Sequence, residues 1–127
     1  MTNNNRPTSP HLQIYRLPLT AKMSISHRLT GVLLSAGLVL TVLFLTALAG
    51  GQSSWEAAHG FLSNWFGQLV LFGFTVVLNY HLCNGVRHLF WDVGQGFSLE
   101  ASSRNNKIVL MASVAMTLLI WIVALSA

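Results

Sequence analysis

Charge is scarce in this chain. Of its 127 residues only 8% are charged, and the acidic ones are just Glu56, Asp92 and Glu100. There is one cysteine, Cys83, which excludes an internal disulfide and a cysteine-held iron–sulfur cluster. Cys83 lies in an apolar stretch and reads as a small packing residue. Proline is confined to Pro7, Pro10 and Pro18, where it favours an extended tail over a helix. No glycine-rich phosphate loop is present. The polar segments are too short for a nucleotide-binding domain or a substrate-binding lobe. The formal net charge of +4 is small and lies beside apolar segments, which excludes a nucleic-acid footprint.

What the chain does have is length without charge. Leu29–Trp55, Ala57–Val86 and Ile108–Ala127 contain no Asp, Glu, Lys or Arg. Crossing the hydrocarbon of a bilayer takes roughly 20 apolar residues as a helix. Unpaired backbone groups are not tolerated in lipid, so each stretch is expected to be helical. The reading is an all-α membrane protein, a single anchor domain over 1–127. A tail over 1–23 precedes spans at about 24–49, 63–90 and 106–125. Within the tail, Met1–Asn5 is expected to be disordered, and Thr20–Ser26 is expected to open an interfacial turn. Gly50-Gly51-Gln52-Ser53-Ser54 breaks the first span, and Gly94-Gln95-Gly96 ends the second. Trp55, Phe61 and Trp65 suit the outer interface, and Ser98–Asn106 reads as a polar loop.

Basic residues give the orientation. Arg6, Arg16, Lys22 and Arg28 precede or open the first span, and Arg87, Arg104 and Lys107 lie around the second loop. The first loop has Glu56 and no Lys or Arg. Positive charge stays inside, so the N-terminus and second loop are expected in the cytoplasm, with the C-terminus outside. The first 18 residues have no apolar core for a signal peptide and no Arg-rich amphipathic transit pattern, which points to a bacterial cytoplasmic membrane.

Chemistry concentrates in two clusters. The first is His81-x-x-x-Gly85-x-Arg87-His88-x-x-x-Asp92. On a helix His81, Gly85 and His88 share one face. An imidazole at bilayer depth is costly, and it is a common axial ligand for haem iron. From spacing alone His81 is either such a ligand or a polar partner for a neighbouring helix. Gly85 leaves room for a flat macrocycle or for close helix packing. Arg87 and His88 lie about 9–10 Å further along the helix. There they would meet haem carboxylates, or Arg87 would snorkel to headgroups.

The second cluster is Ser24-x-x-His27-Arg28-x-x-Gly31. Ser24, His27, Arg28, His88 and Asp92 are expected at similar depth, where hydroxyl, cationic and titratable groups suit a quinone head. The alternative is an ordinary helix start with Ser24 as cap. Pairing of His27 with His81 on one iron is disfavoured, because His81 is expected about 10 Å deeper. His11 and His59 read as solvated or partner-facing.

Together with Arg6-Pro7-x-Ser9-Pro10-His11-Leu12-x-Ile14-Tyr15, these clusters resemble, in order and over essentially the whole chain, the cytochrome b556 subunit of succinate dehydrogenase (complex II). The resemblance implies a subunit of a succinate dehydrogenase (quinone) without catalysis of its own. It implies that His81 is an axial ligand to haem b, with the other ligand supplied by a second small membrane-anchor subunit packed against this one. Ser24 and Arg28 would line a ubiquinone site, with Asp92 near it or structural. His27 and Arg28 would lie by a haem propionate, with His88 and Arg87 as further contacts. The tail around Pro10–Tyr15 would meet the iron–sulfur subunit, which carries electrons from the flavoprotein subunit. Ser26 and Asn84 are polar where many members carry aliphatic residues, and Asn84 is placed to tune the nearby histidines. The alternatives are the anchor of a fumarate reductase and a cofactor-free structural subunit.

Overall fold

The computed structural model describes residues 15–126. The tail motif therefore lies outside the described residues, apart from Tyr15. Four helices follow one another: α1 (Leu19–Ala49), α2 (Gln52–Ser63), α3 (Trp65–Asp92) and α4 (Leu99–Ser126). There is no strand among the described residues. The helices α1, α3 and α4 are long and apolar enough to cross a membrane.

α1 and α4 overrun the expected spans, and α3 is shifted two residues toward the C-terminus. Pro18 precedes α1, where its fixed φ and missing N–H cost nothing. Thr20–Ser26, expected as an interfacial turn, forms the first turns of α1. At α4 the polar residues expected as a loop form its first two turns. Ser98 starts them by accepting from the Ala101 N–H at 3.2 Å. Gly94 and Gly96 turn the chain between α3 and α4 with φ of 77° and 81°.

The break after α1 falls where the glycines put it, at Gly51 with φ of 90°. A new helix begins immediately beyond it. α2 carries Trp55 against Phe44, ring centroids 5.4 Å apart. Asn64 then caps α3, accepting from the Gly67 N–H at 2.9 Å. A Cβ on Gly67 would lie 2.3 Å from the Phe61 carbonyl oxygen, so only glycine fits this corner. Gly37 plays the same part between α1 and α3, where a Cβ would strike the Phe74 ring at 2.7 Å.

α3 is the central helix, packed on both α1 and α4. What it buries is polar. Among the described residues Asn79, Asn84, Arg87, Asn106, Ser113 and Thr117 are all buried, whereas the buried hydrophobic residues are Met23 and Val109. Leucines and valines line the outside, as expected for a protein solvated by lipid.

Candidate functional site

The two sides of the α1–α3 contact are chemically different. On one side α4 closes a polar seam. The Met23 carbonyl in α1 accepts from the Tyr80 hydroxyl at 3.1 Å and from the Asn84 amide at 3.3 Å. Arg87 reaches the same region, donating to the Asn106 side-chain oxygen and lying 3.8 Å from the Met23 sulfur. Asn106 in turn donates to the Thr20 hydroxyl at 2.8 Å. Nearer the middle of the bundle, Asn79 donates to the Thr117 hydroxyl at 3.0 Å. Asn84 thus serves the seam and not the histidines.

The opposite side holds three stacked imidazoles. His27 of α1 lies over Gly85 of α3, between His81 and His88. Its ring stacks on His81 at 3.9 Å and 18°, and on His88 at 5.0 Å and 27°. A Cβ on Gly85 would sit 3.8 Å from the His27 ring, so the glycine is the floor beneath it. Gly31 brings the α1 backbone against His81, where a Cβ would lie 3.3 Å from Cε1. The Thr30 hydroxyl is 3.0 Å from His81 Nδ1. Two imidazole nitrogens, His27 Nδ1 and His88 Nε2, are buried without a hydrogen-bond partner.

The stack corrects one expectation. His27 and His81 lie at the same depth, not about 10 Å apart. The cause is the early start of α1 at Leu19, which carries His27 more than two turns into the helix. Pairing of the two on one iron is nonetheless opposed by a different fact. An imidazole lone pair lies in its ring plane, and face-to-face rings direct both lone pairs away from each other. Among the described residues, no three His, Cys, Asp or Glu side chains form a metal-binding group.

The other expected residues divide. Ser24 is half-buried and falls on the same face of α1 as His27, while Arg28 and Asp92 are exposed. Asp92 lies one turn beyond His88 at the end of α3. Arg87 departs from the histidine face. It is buried in the seam, with its guanidinium carbon 4.5 Å from the Trp91 ring centroid. Thr30 escaped the motif reading, although a hydroxyl one turn after His27 was visible. Between α1, α2 and α3 lies an apolar cavity of about 770 Å³ lined by Leu34, Gly37, Phe44, Phe61, Phe74 and Leu78.

Three apolar helices around a polar seam, with an imidazole stack on its far side, define an integral membrane protein. The family model described as "Succinate dehydrogenase/Fumarate reductase transmembrane subunit" matches residues 2–120. The chain is 40% identical over 123 residues to the succinate dehydrogenase cytochrome b556 subunit of Paracoccus denitrificans, covering 97% of this chain and 95% of that one. It is 39% identical over 119 residues to the subunit of the same name from Rickettsia prowazekii (strain Madrid E), covering 94% and 93%. It is 40% identical over 113 residues to the mitochondrial succinate dehydrogenase cytochrome b560 subunit of Sus scrofa, covering 87% and 67%. The chain belongs to the succinate dehydrogenase/fumarate reductase transmembrane subunit family, as its motifs suggested.

The seam makes a prediction of its own. Asn106→Leu leaves a buried guanidinium without its main acceptor and should lower stability by about 2 kcal/mol. Arg87→Met combined with Asn106→Leu should recover most of that loss, because both polar partners are then gone. Thermal unfolding of the detergent-solubilised protein followed by circular dichroism checks this. A double variant no more stable than the single one would contradict it.

Proposed function

We propose that this chain is a membrane anchor of succinate:ubiquinone oxidoreductase that helps to hold a haem b and a ubiquinone and to pass electrons between the iron–sulfur subunit and the quinone. The observation that carries this reading is the imidazole stack. His81 Nδ1 lies 3.0 Å from the Thr30 hydroxyl, so Nε2 would be the ligating atom. Gly31 and Gly85 remove side chains beside the rings. The unpartnered His27 Nδ1 and His88 Nε2 fit a ligand with carboxylates at its edge.

A haem b at this site supplies one-electron storage. This chain's residues supply its surroundings. His81 would hold one axial position, and the second small membrane-anchor subunit would supply the other ligand. His27, His88 and Arg28 would face the propionates. Arg87 would act on them from behind Trp91, as a fixed positive charge in the seam. Ser24 and Arg28 would donate to the quinone carbonyl oxygens. Asp92, His27 and His88 would relay protons from the aqueous side.

The basic residues support the orientation. Arg16 and Lys22 near the start of α1, Arg87 near the end of α3, and Arg104 and Lys107 in the first turns of α4 lie at one end of the bundle. That end would face the cytoplasm of a bacterium and the iron–sulfur and flavoprotein subunits. The remaining apolar surface would meet lipid and the second anchor. Relatives named for succinate dehydrogenase favour that direction of reaction over fumarate reduction.

Two variants of the purified complex test the reading. His81→Leu should lose the low-spin bis-histidine haem spectrum, and an unchanged spectrum would sink the ligand assignment. Arg28→Leu should reduce quinone at least tenfold more slowly, as expected when about 1.4 kcal/mol of binding or transition-state stabilisation is removed. It should still oxidise succinate with an artificial acceptor. Equal loss of both activities would place Arg28 in assembly instead.

A further inference from the structure

We propose that the Thr30 hydroxyl is the positioning residue of His81, fixing its tautomer and setting how electron-rich its ligating nitrogen is. The inference rests on His81 as the haem ligand and adds a residue that the motifs do not contain.

A threonine hydroxyl has one proton to give and two lone pairs to accept with. The Thr30 hydroxyl donates that proton to the His27 carbonyl oxygen at 2.9 Å. Its contact with His81 Nδ1 at 3.0 Å must then run the other way, with Nδ1–H donating to the hydroxyl oxygen. A neutral imidazole protonated at Nδ1 carries its free lone pair on Nε2. The ring is therefore set in the tautomer that ligates through Nε2. Gly31 at its Cε1 edge and His27 on its face restrict rotation away from that setting.

The same device recurs on the other side of α3, where its direction is unambiguous. Thr117 donates to the Ser113 carbonyl at 2.8 Å and accepts from the Asn79 amide at 3.0 Å. An amide nitrogen can only donate, so a helix threonine here spends its proton on its own backbone and receives one from α3. By contrast, Thr41, Thr46 and Thr75 bond back to their own helices on exposed surface. Back-bonding alone therefore does not explain why Thr30 faces His81.

An acceptor on the distal N–H raises the basicity of a metal-bound imidazole. A more basic ligand favours ferric over ferrous iron and lowers the reduction potential. Removing the acceptor should do the reverse. The change should be about tenfold in the ferric-to-ferrous preference, at the lower end of second-shell effects on metal affinity. For a one-electron couple, tenfold is about 59 mV.

The test uses the whole purified complex with Thr30→Val, which keeps the shape and removes the hydroxyl, and Thr30→Ser, which keeps the hydroxyl. Haem content, the low-spin electron paramagnetic resonance signal and the midpoint potential are measured for each. The expected result is a potential raised by about that tenfold factor in Thr30→Val, with a shifted low-spin signal and wild-type values in Thr30→Ser. A wild-type potential in Thr30→Val, or equal shifts in both variants, would overturn the proposal. If Thr30→Val assembles without haem, haem retained in Thr30→Ser supports the hydroxyl's role, and loss from both overturns it. Failure of the ligand reading is seen separately, as a normal haem spectrum in His81→Leu.

Discussion

Apolar side chains cannot hold this bundle together, because lipid solvates them as well as a neighbouring helix does. The constraint on which the structure depends is instead the burial of polar groups away from lipid. The Met23 carbonyl accepts two bonds from α3 in addition to its place in α1. Arg87 and Asn106 carry the connection onward to α4 and back to Thr20. Each group gains little from its bond but would lose several kcal/mol if left alone in hydrocarbon. That asymmetry fixes the register of α1, α3 and α4.

Fixing that register also builds the imidazole stack behind the seam. With Met23 held against Tyr80 and Asn84, the next turn of α1 brings His27 over Gly85 and Thr30 onto His81. The seam spends the polar residues of α3 that face α4. The histidines on the opposite face remain available to a ligand. Arg87 belongs to the first group by contact and influences the second only through its charge.

Much of this was legible in the sequence, for physical reasons that differ from residue to residue. Uncharged length identified α1, α3 and α4, because only helices satisfy their backbone in lipid. The spacing of His81, Gly85 and His88 identified the face. The helix ends were less legible. Ser102 and Asn106 look like loop residues until their partners on α1 are known, since Asn106 is polar because it meets Arg87 and Thr20. α2 was hidden because Gly50-Gly51 signals a break without saying that a helix follows. The depth of His27 is set by the start of α1 at Leu19, which no capping residue before it signals. Thr30 went unread because its significance depends on a contact with a residue 51 positions away.

The central claim is that His81 is half of a haem site completed by another chain. It is tested most directly by a reduced-minus-oxidised difference spectrum of the purified native complex, with its subunits identified and its haem quantified. The expected result is a low-spin b-type spectrum, one haem for each copy of this chain, and a second small membrane subunit in equal amount. A complete complex with no absorbance in the haem Soret region would contradict it.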